Sequence, residues 1–132
     1  KQLINYIKKV GGAKEVHARP ACPPLMYPCK FCLSTRSTHE LAARRAIKAL
    51  EGHDTEDISE YIDHTTDKYK KMVDWIARDL TLTTLRYQTV EDMVKAIGLP
   101  KEKLCLYCWT GVCPQKNLAT KGESRYAKEK RY

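Results

Sequence analysis

The stretch QLINYIKKVGGAKEVHAR, residues 2–19, decides how the fold of this chain is interpreted. Its first half carries four apolar side chains at helical spacing, on one face: Leu3, Tyr6, Ile7 and Val10. Gly11 and Gly12 end that helix, and residues 14–19 then alternate as a strand does, with Val16 and Ala18 on one side. A helix that leads through a glycine turn into a strand predicts a mixed α/β sheet fold.

Residues 20–38 interrupt this pattern and are predicted to be an irregular loop. Four prolines fix the backbone there and remove hydrogen-bond donors: Pro20, Pro23, Pro24 and Pro28. The loop also holds Cys22, Cys29 and Cys32. Neither a helix nor a central strand is expected in it.

The rest of the chain shows helix-capping signals and a second strand. Ser37-Thr-His-Glu40 is a capping-box pattern that predicts the start of a helix ending before Gly52. Asp54 or Thr55 is expected to cap a short helix through Ile62, and Thr65 or Thr66 the following helix. Residues 82–88 read as a strand, and Thr89 caps a last helix that stops at Gly98.

Each predicted helix has an apolar stripe that we expect to lie in the core. After the first helix, the stripes consist of Ala43, Ala46, Ile47 and Leu50; of Tyr69, Met72, Val73, Ile76 and Leu80; and of Val90, Met93, Val94 and Ile97. Two strands alone cannot make the parallel sheet that this order of elements implies. The fold class is therefore α/β, mostly helical, with part of a parallel sheet whose first strands lie upstream.

Composition and charge exclude several function classes. The 132 residues suit one domain, and 42% hydrophobic with 30% charged residues predicts a folded chain. No apolar run is long enough to cross a bilayer, and no signal peptide is seen, so a cytoplasmic setting is expected. The net charge is +8, half of it in residues 116–132, which are expected to be a flexible basic tail, and nucleic-acid binding is not favoured.

The six cysteines are the strongest chemical signal. Cys29 with Cys32, and Cys105 with Cys108, are C-x-x-C pairs, which let both thiols of a pair turn toward one metal. Four thiolates suit either zinc or a 4Fe–4S cluster. Two alternatives remain open, since such pairs also serve as redox dithiols or as plain buried thiols.

The other candidate residues carry weaker signals. Cys22 stands between prolines and is expected to be a spectator, and Cys113 to be a spare ligand. The four scattered histidines are expected to be structural or exposed: His17, His39, His53 and His64. Neither a phosphate-binding glycine loop nor a nucleophile motif is present, so no catalytic or cofactor-binding residue is assigned.

Three stretches, covering about residues 1–115 in the right order, resemble the glutamine amidophosphoribosyltransferases. They are Gly12-Ala-Lys-Glu-Val-His17 with Pro23-Pro24 and Tyr27-Pro28-Cys29; Ser37-Thr-His-Glu-Leu41; and residues 87–106 with Cys105-Leu-Tyr-Cys108-Trp-Thr-Gly111 and Pro114. The resemblance implies the carboxy-terminal part of a type I phosphoribosyltransferase domain over residues 1–115. Such enzymes transfer ammonia from glutamine to phosphoribosyl pyrophosphate, giving phosphoribosylamine in the first step of purine synthesis.

The resemblance also implies a metal site and partners. Many members hold a 4Fe–4S cluster that stabilises or regulates, and Cys29, Cys105 and Cys108 match three of its ligands. The family's fourth ligand lies upstream, so Cys32, which stands where a small non-ligating residue is usual, is the candidate replacement. The glutaminase nucleophile and the magnesium-dependent phosphoribosyl pyrophosphate loop have no match. The chain is thus expected to work with upstream glutaminase and transferase segments, in a homo-oligomer.

Two further hypotheses stay open beside the enzyme segment. The first is a stand-alone regulatory or structural module with four internal cysteine ligands. The second is a basic adaptor that binds nucleic acid through residues 116–132 and uses zinc as a staple. Relative to the usual family pattern, residues 63–82 add a helix.

Overall fold

A computed structural model describes residues 1–29 and 37–112. Within these ranges the chain forms six α-helices, two short strands and two 3₁₀ turns. The helices and strands are α1 (Gln2–Lys9), β1 (His17–Ala18), α2 (Ala42–Glu51), α3 (Ser59–Ile62), α4 (Asp67–Asp79), β2 (Thr84–Leu85), α5 (Val90–Ile97) and α6 (Tyr107–Thr110). The 3₁₀ turns are Thr38–Glu40 and Lys101–Lys103.

The two strands pair in parallel, as the order of elements predicts. His17 lies opposite Thr84 and Ala18 opposite Leu85. Both strands are much shorter than the predicted ranges 14–19 and 82–88. Among the described residues, each strand has a single partner. The ladder of hydrogen bonds that defines a strand is therefore short. The described residues thus form a mixed α/β structure that is about half helical, with a two-stranded parallel sheet.

The helical core is formed by α2, α3, α4 and β2. Its buried residues are Met26, Ala43, Ala46, Ile47, Ile58, Tyr61, Met72, Ile76 and Leu85. Met72 and Ile76 are 0% and 1% exposed, and Ala46 and Ile47 of α2 pack into the same cluster. The stripes of α2 and α4 therefore meet each other, which confirms their core role except at the helix end, where Leu50 is 38% exposed.

Four of the helix boundaries predicted from capping and stop signals are confirmed. The hydroxyls of Thr66 and Thr89 accept hydrogen bonds from the backbone N–H groups of Tyr69 and Asp92, as capping residues do. Gly52 and Gly98 end α2 and α5 in the left-handed conformation. These four boundaries follow local chemistry, which is why the sequence reports them well.

Two predicted caps are wrong. Ser37 begins a 3₁₀ turn without a side-chain cap, and α2 starts only at Ala42 because buried Leu41 is extended between the turn and the helix. Neither Asp54 nor Thr55 caps the short helix α3. Instead, the carboxylate of Asp57 accepts hydrogen bonds from the backbone N–H and the hydroxyl of Ser59 at 3.1 and 2.8 Å.

The apolar stripe of α1 is also misassigned, because it does not lie in a core. Leu3, Tyr6 and Val10 are 70%, 63% and 66% exposed, and α1 buries no residue. The helix is held instead by polar contacts at its ends. The ammonium of Lys1 donates to the carboxylate of Asp79 at 2.7 Å, and that of Lys8 donates to the carbonyl of Thr81.

Several predictions fall on residues that the structure does not describe. Cys32 and Cys113 lie outside the described ranges, as do residues 116–132, so the domain boundary and the basic tail stay predictions.

In the described residues, none of the helices combines the length and the apolar character that a membrane span requires. On α5, Met93 is buried but Ile97 is 49% exposed.

Candidate metal centre

Two backbone hydrogen bonds bring the proline loop and α6 together. The N–H groups of Met26 and Tyr27 both donate to the carbonyl oxygen of Cys108, at 2.8 and 3.0 Å. Met26 is 1% exposed and belongs to the helical core, so this pair of bonds fixes α6 against a rigid part of the molecule. Cys29 and Cys108, which lie 79 positions apart in the sequence, are thereby placed on neighbouring segments.

The thiol groups of these segments interact with one another. Cys29 and Cys108 share a side-chain hydrogen bond, and an electrostatic interaction links Cys105 to Cys108. Burial first, and then the neighbouring thiol groups of Cys29 and Cys105, raise the pKa of Cys108 to about 12. Without a metal, Cys108 is therefore a protonated thiol at neutral pH, and a metal binding there must displace its proton.

A pair of aromatic rings joins the two segments that carry the thiols. The rings of Tyr27 and Tyr107 lie 5.7 Å apart between centroids, at 42° to each other. Gly111 ends α6 with φ at 75°, and a Cβ atom added there would meet the Tyr27 ring at 2.8 Å. We refer to residues 26–29 and 105–111 as the cysteine region. Its close approach of loop and helix requires glycine at position 111.

The donor chemistry of the cysteine region fits a thiophilic metal, although its geometry is incomplete. Cysteine thiolates are the ligands of zinc and of iron–sulfur clusters, and three cysteines of this region interact. Within residues 1–29 and 37–112, however, no three cysteine, histidine or carboxylate side chains stand close enough to hold a metal ion. The fourth predicted ligand, Cys32, lies outside those ranges. The four-cysteine ligand set stays a prediction.

The remaining cysteine and the histidines take other places. Cys22 is half-buried near Tyr87, whose pKa is raised to about 12 by burial first and then by the charges of Tyr69 and Cys22. All four histidines are exposed, as expected. His17 makes contacts at 2.9 Å with the hydroxyl of Thr84 and at 3.1 Å with the carboxylate of Glu15, so its ring links the two strands.

Sequence reasoning missed the residues that hold the two cysteine segments together. Met26 and Tyr27 contribute backbone N–H groups, which leave no signature in a sequence because every residue except proline has one. Tyr27 and Tyr107 each lie within two residues of a candidate ligand, and that proximity is the one signal that was present. Gly111 belongs to the motif Cys105-Leu-Tyr-Cys108-Trp-Thr-Gly111, but its close approach to the Tyr27 ring depends on tertiary structure.

A cleft of about 310 Å³ adjoins the cysteine region. The segments that follow both strands contribute to its wall, through Pro23 and Pro24 after β1 and through Gln88 and Thr89 after β2. Trp109 of α6 also lines it, and the indole N–H of Trp109 is buried without a hydrogen-bond partner in the described structure. An unsatisfied buried donor costs about 1–3 kcal/mol, so this side of the cysteine region is not optimised for stability.

Curated amidophosphoribosyltransferases are similar to this chain along most of its length. The chain is 28% identical to the enzyme of Methanocaldococcus jannaschii over 114 residues, which are 86% of this chain and 18% of that enzyme. It is also 28% identical to the enzyme of Methanothermobacter thermautotrophicus, over 85% of this chain and 18% of the relative. A chloroplastic amidophosphoribosyltransferase of Vigna aconitifolia is 38% identical over 61 residues, 46% of this chain and 11% of the relative.

These matches cover only a small part of each relative. The chain spans less than a fifth of the length of the curated relatives it matches, so the resemblance is to one segment of them. No family model matches the chain. No solved structure matches it significantly either. The predicted resemblance to the amidophosphoribosyltransferases is confirmed at this level.

Proposed function

We propose that this chain is a structural segment of an amidophosphoribosyltransferase, with a cysteine-ligated metal that staples its two cysteine-bearing segments. The similarity over 86% of the chain to a relative of that name carries the first part of the proposal. The hydrogen bond between Cys29 and Cys108 carries the second part. No side chain of the segment is assigned a catalytic role.

The ligands of the proposed metal are Cys29, Cys32, Cys105 and Cys108. Cys29 and Cys108 already share a hydrogen bond, and Cys105 is near enough to contribute to the raised pKa of Cys108. Cys105 is exposed, which leaves its thiol free to turn toward a metal. Cys32 follows Cys29 at the C-x-x-C spacing that suits a shared centre.

The proposed metal is a 4Fe–4S cluster, with zinc as the alternative. Either group would fix four thiolates and so cross-link the proline loop to α6. That cross-link would add to the two backbone bonds that Met26 and Tyr27 donate to Cys108. A staple is useful here because the cysteine region contributes little to the helical core, with Met26 buried in it and Tyr27 packed against it.

In this proposal, the catalytic activity is a property of the complete enzyme and not of this segment by itself. That enzyme would convert glutamine and phosphoribosyl pyrophosphate to phosphoribosylamine, with magnesium bound in a part that this chain does not supply. The partners of the segment would be upstream glutaminase and transferase segments, assembled in a cytoplasmic homo-oligomer. The support is the share of the relatives that remains unmatched, since the segment covers only 18% of the first of them.

Anaerobic purification, followed by a visible absorption spectrum and by analysis for iron, sulfide and zinc, tests the metal. We expect brown protein with about four irons per chain, lost in Cys105→Ser and Cys108→Ser but kept in the matched control Cys22→Ser. Colourless protein with one zinc would favour a stand-alone zinc module. Absence of both metals from the wild-type chain would contradict the staple.

A further inference from the structure

The proline loop and α6 are fixed against each other next to Cys29 and Cys108. The backbone N–H groups of Met26 and Tyr27 donate to the carbonyl oxygen of Cys108 at 2.8 and 3.0 Å. The ring of Tyr27 also lies 5.7 Å from the ring of Tyr107, between centroids. None of these contacts involves a sulfur atom, so they set the approach of the two thiols in the metal-free chain.

The two thiols are in contact as a pair. Cys29 and Cys108 share a side-chain hydrogen bond, and a bond of this kind leaves nothing between the two sulfur atoms. Within residues 1–29 and 37–112, no three cysteine, histidine or carboxylate side chains stand close enough to hold a metal ion. A disulfide needs only two thiols that can approach each other, and the described residues provide those two.

This contact crosses the two C-x-x-C motifs. Spacing in the sequence would pair each cysteine with the other member of its own motif. The structure instead places the first cysteine of one motif, Cys29, against the second cysteine of the other, Cys108. A bond between them would join residues 79 positions apart and enclose α2 to α5 in one covalent loop. It would therefore link the same two segments that the proposed metal links.

We propose that Cys29 and Cys108 form a disulfide in the metal-free chain, and that this bond excludes a metal until it is reduced. The oxidant is a small-molecule disulfide, such as oxidised glutathione. One cysteine attacks a sulfur of the oxidant, which breaks its S–S bond, forms a mixed disulfide and releases one small thiol. The other cysteine then attacks the mixed disulfide, releases the second small thiol and closes the bond between Cys29 and Cys108. Each released thiol takes up the proton that a cysteine loses, and two electrons pass to the oxidant.

The disulfide and its regulatory role have separate supports. The bond itself rests on the contact between the two thiols. The exclusion of metal rests on the proposed function, in which both cysteines are ligands, because a metal binds thiolates and not a disulfide. In a reducing compartment such a bond forms only transiently, under oxidising conditions. The pair would then act as a switch that exchanges a metal cross-link for a covalent one.

Peptide mapping of the whole chain tests the bond. The reduced, metal-free chain is treated with oxidised glutathione, digested without reduction and analysed by mass spectrometry. Trypsin cleaves after Lys30 and chymotrypsin after Tyr107 and Trp109, so each cysteine of the two motifs falls in its own peptide. We expect the linked peptides of Cys29 and Cys108 as the main product of the native chain.

The same reaction in urea shows whether the bond depends on the fold. In an unfolded chain, loop closure favours cysteines that are close in sequence, so bonds within each C-x-x-C motif should replace the bond between motifs. The same products from the native and the unfolded chain would overturn the proposal, as would a native bond between Cys105 and Cys108. Mapping of the wild-type chain requires no substitution, so this result does not depend on whether a variant folds.

Two variants and a metal measurement complete the test. Cys29→Ser should lose the bond between motifs, whereas the control Cys22→Ser should keep it. The reduced chain should retain about one zinc after desalting, the oxidised chain none, and reduction by a phosphine should restore binding. Equal zinc retention by both forms would contradict the switch. A disulfide in a chain that binds neither zinc nor iron with sulfide after reduction would leave the bond standing and remove the metal staple.

Discussion

The helical core and the cysteine region are held together in different ways. In the helical core, Met72 and Ile76 are almost completely buried, and α2, α3 and α4 pack on them. In the cysteine region, all three described thiols are at least partly exposed, and the indole N–H of Trp109 is buried without a partner. Two backbone bonds to Cys108 are the main polar link between its segments.

This difference shows which part of the molecule needs something besides apolar burial. The free energy of the helical core comes from removing apolar surface from water, which requires only the chain itself. In the cysteine region, Met26 and Leu106 are the buried residues, and the thiols are chemically suited to a metal. We therefore expect the stability of one region to be independent of metal and that of the other to depend on it.

The largest expected effect separates Cys108→Ser from its control Cys22→Ser. In metal-loaded protein, loss of a ligand should remove much of an apparent stabilisation that is on the order of 10 kcal/mol for structural metals. Cys22 is half-buried and is not a proposed ligand, so Cys22→Ser should cost only about 1 kcal/mol, as point substitutions commonly do. Urea unfolding measures both values, and equal stability of the two variants would contradict the staple.

Met72→Ala should give the next largest effect. Met72 is 0% exposed, so truncation leaves a cavity and costs about 2–5 kcal/mol. The loss should be the same before and after chelation of metal, because the helical core does not depend on metal in this comparison. Leu3→Ala is the matched control at an exposed apolar position, and a similar loss there would show that the face of α1 is covered in the chain alone.

Gly111→Ala should have a smaller effect, confined to the cysteine region. A left-handed residue with a side chain costs roughly 1–2 kcal/mol at either Gly111 or Gly98, which have φ of 75° and 73°. At Gly111 the new Cβ would also meet the Tyr27 ring, whereas at Gly98 it would meet nothing within 4 Å. We expect Gly111→Ala to cost about 1 kcal/mol more than Gly98→Ala in urea unfolding. Equal costs would mean that Tyr27 moves aside freely.

The smallest expected effect concerns the cap of α4. Thr66→Ala removes the hydroxyl that accepts from the N–H of Tyr69 at 3.1 Å, and should cost about 1 kcal/mol. Thr66→Asn keeps a capping oxygen and should recover most of that loss. Thermal unfolding followed by circular dichroism measures the difference. No recovery by asparagine would show that Thr66 acts through its packing, or through the bonds that its hydroxyl donates to Glu60 and Asp63.

Local signals in the sequence predicted a large part of the helical core. The stripes of α2 and α4, the caps at Thr66 and Thr89, and the parallel pairing of the strands all follow from spacing and side-chain chemistry. The capping-box pattern at Ser37 wrongly predicted a helix start, because Leu41 is buried in an extended conformation between the 3₁₀ turn and α2. A four-residue pattern carries no information about that burial. The four-cysteine site was predicted from cysteine spacing and from the family resemblance and stays a prediction, whereas the backbone donors of Met26 and Tyr27 were not predicted.

The sequence by itself determined which helices have an apolar face, where most of them end and which cysteines are candidate ligands. These properties depend on the order of neighbouring side chains. Only the tertiary structure decided that the stripe of α4 is buried while that of α1 faces solvent, and that Cys29 lies against Cys108. The physical reason is that burial and contact depend on what the rest of the chain places opposite a face, and helical periodicity carries no information about the opposite side.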